Sequence, residues 1–227
     1  MPHPWPDADA LLQAGLSGAN LRIVEAVCPL LLSRDAATVS FEALAAQAHV
    51  GVATLYRHFP SKGRLYASAA RLMWAYVAAG TWVDSAQPAG AGSGADQLRA
   101  LGRACVEIFA LNPGLVRFLG TVDRMASRGQ VPADALAPIV RQAEAIYATF
   151  EGAYVRGVVD GSLRQVPDFR AAFLAVAHGL LGASRHPVPF HGIDNDADVP
   201  SSTVAAAGVD MALAYLGARP QLVTTNA

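Results

Sequence analysis

Residues 40–62 read SFEALAAQAHVGVATLYRHFPSK and contain two short stretches whose apolar residues recur at helical spacing. In the first stretch Phe41 and Leu44 fall on one face. Ser40 is a suitable N-cap for it, because its hydroxyl oxygen can accept a hydrogen bond from a free backbone N–H group. The second stretch predicts a helix over Val52–His58. The pattern therefore predicts two short, consecutive helices.

A tight turn joins these two helices. His49 stands where a positive φ is expected, and histidine adopts that conformation more readily than most residues. Ala45 and Ala48 are small enough for the helices to approach closely, and Gly51 is an acceptable N-cap for the second helix. Phe59 is expected in the core. Two short helices joined in this way form a helix-turn-helix.

The rest of the chain has the composition of a helical protein. Alanine makes up about a fifth of it, well above ordinary usage, and alanine is the best helix former. No Asn-Gly or Asp-Gly hairpin signal lies between alternating apolar runs. The sequence predicts an all-α fold. The further helices are predicted over Asn20–Ser33, Lys62–Val83, Asp96–Leu111, Pro113–Ser127, Pro138–Val159, Phe169–Ser184 and Ser202–Leu216.

Composition also excludes several classes of protein. A hydrophobic content of 53% and a net charge of −1 exclude a disordered chain and a global basic field. Two distant cysteines, Cys28 and Cys105, exclude a disulfide framework, favour a cytoplasmic setting, and are expected to be buried. No long apolar run lacks a charge or a helix breaker, so we expect no membrane span. Residues 1–10 carry no Lys or Arg, so we expect no signal peptide.

The segment Thr54-Leu55-Tyr56-Arg57-His58-Phe59, followed by Ser61-Lys62, resembles the DNA-binding domain of the tetracycline-repressor (TetR) family. The resemblance implies a three-helix DNA-binding domain with a helix-turn-helix, followed by a larger helical ligand-binding and dimerisation domain. On this basis residues 1–19 are predicted as a loose amino-terminal arm, residues 20–70 as the DNA-binding domain, and residues 71–227 as the second domain.

The resemblance implies a homodimeric transcriptional regulator. Such a regulator is usually a repressor that a small-molecule effector releases from a palindromic DNA operator. We expect no enzymatic activity, cofactor, metal or membrane to be involved. The residues at the start of the second short helix would face base edges, and the polar residues after them would meet phosphates. The implied DNA-binding residues are Ser40, Gly51, Val52, Ala53, Thr54, Tyr56, Arg57, His58 and Lys62.

Local charge supports that surface. Residues 20–75 hold six bases and three acids, a net charge of +3, whereas residues 76–227 carry −2 and the arm carries −2. Positive charge therefore accompanies the helix-turn-helix, as phosphate binding requires. The sequence departs from the family pattern at His49, where glycine is usual, at Gly51, where serine is usual, and at Gly63, where an acid is common. The usual basic arm is also missing.

An effector pocket is the second feature that the resemblance implies. Large apolar side chains on the later helices are candidates for its lining, although most of them are expected to be ordinary core residues. These candidates are Trp74, Trp82, Phe109, Phe118, Met125, Tyr147, Phe150 and Tyr154.

Other interpretations stay open. His58 is as readily a surface residue as a phosphate ligand. The loop 186–198, with two His and three Asp, is better explained as a polar surface loop than as a metal site, because Val199 and Ala205 stand where an EF-hand needs Gly and Glu. A helical ligand-binding adaptor or an enzyme that has lost DNA binding is the alternative function, and the absent basic arm is the feature that favours it.

Overall fold

A computed structural model of the chain describes residue 16 and residues 18–85, 92–185 and 201–217. These residues form helices and contain no strand, so the all-α prediction is confirmed. The helices are α1 Gly18–Ser33, α2 Phe41–Gln47, α3 Val52–His58, α4 Lys62–Ser85, α5 Gly94–Leu111, α6 Pro113–Ser127, α7 Ala133–Val159, α8 Phe169–Arg185 and α9 Ser201–Tyr215. The predicted arm and the loop 186–200 lie outside the described residues, apart from residues 16, 18 and 19.

Most predicted helix limits agree with the structure to within two residues, and α3 and α6 agree at both ends. The prediction that a helix begins at Pro138 is wrong, because α7 begins at Ala133 and contains Pro138. The Pro132 carbonyl accepts bonds from the N–H groups of Ala135 and Leu136 at 3.0 and 3.1 Å, which starts the helix earlier. Pro138 is the sixth residue of α7, where it removes a single backbone hydrogen bond without ending the helix.

The chain divides into two compact units, and it passes from one unit to the other after Thr81, Leu111 and Ile146. The first unit holds α1–α3, most of α4, α6 and the first half of α7. The second unit holds the end of α4, α5, the second half of α7, α8 and α9. Helices α4 and α7 therefore run from one unit into the other. The domain boundary after residue 70 stays a prediction.

In the first unit the core lies among α1, α2, α3 and the start of α4. Helix α1 buries one stripe of apolar residues. Helix α6 packs against α1, and Gly114 lies directly against the Leu32 carbonyl, where a Cβ would not fit. The Arg117 guanidinium donates to the same carbonyl at 2.7 Å. The buried stripe of α1 consists of Ile23, Val24, Val27, Cys28 and Leu31.

In the second unit α9 packs against both α5 and α8. Gly102 of α5 allows the close approach, because a Cβ there would lie 2.6 Å from a methyl group of Val209. Cys28 and Cys105 are buried as predicted, and burial raises the pKa of both thiols, that of Cys105 to about 12. Among the described residues no single helix has both the length and the apolar character to cross a membrane.

Candidate nucleic-acid interface

The turn between α2 and α3 has the geometry that its sequence predicts. His49 adopts a φ of 54°, in the left-handed region. The N–H group of Val50 donates to the Ala45 carbonyl at 3.0 Å and closes the turn. Ala45 is buried, so its small side chain allows the backbone of the turn to lie close to α2. The short connection holds α3 at a set angle to α2.

Helix α3 has one buried face and one exposed face. Leu55 is fully buried, and the following Phe59 is buried as predicted. Ala53 and Arg57 are exposed, whereas Val52 and Thr54 are half-buried. Because the buried face fixes α3 to the core, its exposed face is available to a partner. That exposed face starts at the amino terminus of α3.

Gly51 is the N-cap of α3 and makes no side-chain capping bond. Its φ is −69°, and the space that a Cβ would occupy is open. Neither the backbone nor the surroundings of Gly51 therefore require glycine. The start of α3 is open to a partner.

Tyr56 lies on Phe41, with ring centroids 4.2 Å apart and an angle of 31° between the rings. The side of the ring away from Phe41 remains open, since half of Tyr56 is exposed. This contact restricts the rotamer of Tyr56 while leaving the residue accessible. The arrangement suits a hydrogen bond to a phosphate, because little side-chain entropy remains to be lost.

His58 is half-buried at the end of α3, with its Nδ1 atom 2.7 Å from Oδ1 of Asn20. The bond joins α3 to the start of α1. Sequence analysis did not identify Asn20, because nothing in its local pattern indicates a partner on another helix. One ring nitrogen of His58 is thus engaged within the fold.

Ser40 caps α2 as predicted, because its hydroxyl oxygen accepts the N–H group of Ala43 at 3.1 Å. Ser40 is exposed, and its single hydroxyl hydrogen is directed to the Glu42 carboxylate. Glu42, in the first turn of α2, has a pKa below its usual range because its own backbone N–H group and the Ser40 side chain bond its carboxylate. This favours the ionised carboxylate at the positive end of the helix dipole.

Lys62 is the first residue of α4 and is half-buried. Its ammonium nitrogen lies 5.6 Å from the centre of the Tyr66 ring, and burial lowers its pKa. Ser61 caps the helix, since its hydroxyl oxygen accepts the Arg64 N–H group at 3.2 Å. The ammonium therefore has a defined position beside the start of α4.

Arg64 is engaged within the fold. Its guanidinium makes two bonds with the Asp134 carboxylate, at 2.7 and 3.0 Å, and these bonds lower the pKa of Asp134. Arg22 and Arg57 are exposed. The local sequence does not show that Arg64 forms an ion pair, because its partner Asp134 lies 70 positions away in the chain.

The structure distributes the predicted pocket residues over both units. In the first unit Trp74 and Met125 are half-buried, and Phe118 is fully buried with its ring centre 5.6 Å from that of Tyr66. In the second unit Phe109, Phe150 and Tyr154 are buried and Tyr147 is half-buried. The side chain of Trp82 lies outside the described part of the chain.

Residues 23–69 match the family model described as bacterial regulatory proteins, tetR family. Residues 23–69 thus carry the amino-terminal domain that this family model describes. The matched residues cover most of α1, all of α2 and α3, and the start of α4, and they include the exposed face of α3 and Lys62. This confirms the resemblance that the motif at residues 54–62 indicates.

Solved structures share the fold of this chain. The ketosteroid transcriptional regulator KstR2 of Mycobacterium tuberculosis is 15% identical, with a TM-score of 0.60 over 88% of this chain and 96% of that chain. The TetR-family regulator PfmR from Thermus thermophilus is 22% identical, with a TM-score of 0.60 over 88% and 100%. A TetR regulator from a Rhodococcus species is 20% identical, with a TM-score of 0.54 over 87% and 96%. No curated protein matches the chain.

Proposed function

We propose that this chain is a cytoplasmic transcriptional repressor that binds a palindromic DNA operator as a homodimer and is released by a small-molecule effector. The observation that carries the proposal is α3, a helix anchored by Leu55 with its opposite face exposed and followed in the chain by the half-buried Lys62. A helix presented in this way fits the major groove, while cations at its edge meet phosphates.

The roles of the exposed residues follow from their chemistry. Val52 and Ala53 have no hydrogen-bonding side-chain groups, so they read thymine methyl groups or allow close approach, whereas Thr54 bonds a base edge or its neighbour. Tyr56, Arg57 and Lys62 contact phosphates. Ser40 and His58 add phosphate contacts, and Gly51 allows the backbone at the start of α3 to approach the groove.

A second copy of the chain is the proposed partner of α8 and α9. A groove of about 750 Å³ lies between these helices and is lined by small residues such as Ala175 and Gly208. Large apolar side chains on the same two helices are exposed, including Met211 at 73%. Two copies related by a two-fold axis would cover both faces and form a four-helix interface.

For the effector, the second unit offers an aromatic cluster on α7 and α8. Tyr154 stacks on Phe169 with centroids 4.2 Å apart, and Phe173 lies 5.3 Å from Tyr147 and 5.1 Å from Phe150. We propose that an effector bound beside this cluster in the second unit shifts α4, whose last residues belong to the same unit. That movement would change the spacing of the two α3 helices, which must lie about one DNA turn apart.

The test is a fluorescence-anisotropy or mobility-shift titration with genomic fragments at low salt. The expected result is saturable binding to a palindrome. The Thr54→Ala variant, which should fold like the wild type, is expected to prefer a different DNA sequence. A folded protein that binds no DNA at low salt would favour the adaptor or the enzyme. Melting-temperature shifts across a compound library then identify the effector.

A further inference from the structure

A cavity of about 440 Å³ lies in the first unit beside the start of α4, and we refer to it as the Lys62 cavity. Its walls come from the turn after α1, the first residues of α4 and the last turn of α6 with the segment that follows. Its lining residues include Lys62, Tyr66, Thr121, Arg124 and Arg128. Its volume is typical of a small-molecule site and is many times the volume of one water molecule.

The Lys62 cavity has a strong excess of positive charge. Lys62, Arg124 and Arg128 line it, and no Asp or Glu does. Among the described residues no carboxylate lies within ion-pair distance of these three cations, whereas Arg64, close by in sequence, is paired with Asp134. Cations gathered around one partly enclosed volume repel each other and favour an anion there.

Two of the cations have defined positions. The Arg124 guanidinium donates to the Thr121 hydroxyl at 2.9 Å, and that hydroxyl donates to the Arg117 carbonyl at 3.2 Å. The Lys62 ammonium lies over the Tyr66 ring, while the Tyr66 hydroxyl is engaged with the Ala36 carbonyl at 2.6 Å. A preorganised guanidinium and ammonium lose little entropy when they bind an anion.

The unusual glycine at position 63 contributes to this charge pattern. Gly63 is buried against the carbonyl oxygen of Gln130, where no Cβ would fit, so the side chain of an acid is excluded. The segment that carries Arg128 and Gln130 thus lies close to the start of α4. Position 63 therefore adds no carboxylate to the wall of the cavity.

We propose that the Lys62 cavity binds a small organic anion with two or three negative charges, carried by carboxylate or phosphate groups. Arg124 and Arg128 bind its anionic groups from α6 and its end, and Lys62 binds it from α4. A second consequence rests on the function proposed above. An anion that neutralises Lys62 weakens the attraction of this ammonium for a DNA phosphate, so the anion lowers operator affinity.

The first experiment measures binding of citrate, and separately of pyrophosphate, to the full-length protein by isothermal titration calorimetry at constant ionic strength. Carboxylate and phosphate chemistry are thereby distinguished. We expect saturable binding that Arg124→Gln/Arg128→Gln weakens by about tenfold or more, because two charge-assisted contacts are lost. Arg103→Gln, an exposed arginine on α5, is the matched control and leaves the affinity unchanged.

Binding of neither anion up to about 10 mM, or equal binding by the double variant, would overturn the proposed site. Both arginines are exposed, so the double variant is expected to fold, and its melting temperature without anion verifies this. The calorimetric result does not depend on DNA, and it therefore remains readable if the chain proves not to bind an operator.

The second experiment repeats the operator titration with and without citrate at matched ionic strength. We expect citrate to weaken operator binding by the wild-type protein several-fold more than by the double variant. If citrate binds without any effect on DNA affinity, the proposed competition between the anion and the operator is wrong. If the double variant instead loses DNA affinity while the wild type binds neither anion, the cations belong to the DNA surface and the anion site is overturned.

Discussion

Gly63 lies in the first turn of α4 with the backbone carbonyl of Gln130 directly against it. We predict that Gly63→Ala destabilises the protein by about 1–3 kcal/mol, because the new methyl group forces two backbones apart. Gly152→Ala is the matched control, since this glycine of α7 has open space where its Cβ would lie. It should stabilise by about 0.5–1 kcal/mol, the ordinary helix effect. Urea unfolding of both variants measures the difference, and equal shifts would contradict the contact.

Lys62 and Thr54 are expected to contribute differently to DNA binding. Lys62→Ala should weaken binding about evenly across DNA sequences, because an ammonium attracts any phosphate. Thr54→Ala should change which sequence is preferred, because this side chain lies at the exposed start of α3. Anisotropy titrations on a panel of operator variants measure both effects. An unchanged affinity of Lys62→Ala at moderate salt would show that the phosphate role is wrong.

At the scale of elements, the short α3 depends on its neighbours, because a helix of this length is not stable alone. Leu55 and Phe59 bury its inner face, and the bond between His58 and Asn20 joins its end to α1. Helix α6 is joined to α1 in turn by the Arg117 bond to Leu32. The orientation of the exposed face of α3 is therefore set by α1 and α2 together.

The bond between His58 and Asn20 allows a structural role to be separated from a phosphate contact. We predict that Asn20→Ala lowers the free energy of unfolding by about 0.5–1.5 kcal/mol, the usual value of one hydrogen bond. His58→Ala should cost a similar amount of stability and should also weaken DNA binding, if the ring contacts a phosphate as proposed. Thermal unfolding and anisotropy of both variants decide this. Equal DNA affinity in the two variants would leave His58 with the structural role alone.

For the whole molecule, α8 and α9 predict a dimer. We expect a dimeric mass by light scattering at micromolar protein concentration. Met211→Glu should shift the mass toward the monomer, since it would place a charge on the face that the proposed second copy covers. Val159→Glu is a suitable control, because Val159 is exposed at the end of α7 and outside the groove. A monomeric mass for the wild-type protein would refute the interface.

The charge distribution of the whole molecule predicts an operator affinity that tolerates salt unusually well. Arg64 is paired with Asp134, and if Lys62, Arg57 and Arg22 of each copy meet phosphates, a dimer neutralises roughly four to six of them. The slope of log K against log salt concentration should be about −4 to −5, because each neutralised phosphate contributes about −0.9 to it. Deleting residues 1–16 should hardly change it, because that segment holds Asp7 and Asp9 and no Lys or Arg.

A titration from low to moderate salt measures this slope for the full chain and for the truncated form. A slope near −10 would mean that further cations reach the DNA, and Arg124 and Arg128 beside Lys62 would be the first to examine. A slope that collapses after the truncation would mean that the arm contributes to binding despite its acidic residues.

The helices, the turn at His49, the capping role of Ser40 and the TetR-type motif are all predictable from the sequence alone. These features depend on residues close together in the chain, because helix periodicity, caps and breakers act over a few positions. The start of α7 was misjudged, since a proline in the first turns of a helix does not by itself show where the helix begins.

Only the tertiary structure decided which of the polar residues are engaged within the fold. His58 meets Asn20 from 38 positions away, and Arg64 meets Asp134 from 70 positions away. Gly63 lies against Gln130, and Arg124 and Arg128 lie around one cavity with Lys62. Local sequence patterns carry no record of such pairs, because their distances are set by how α1, α4, α6 and α7 pack in three dimensions.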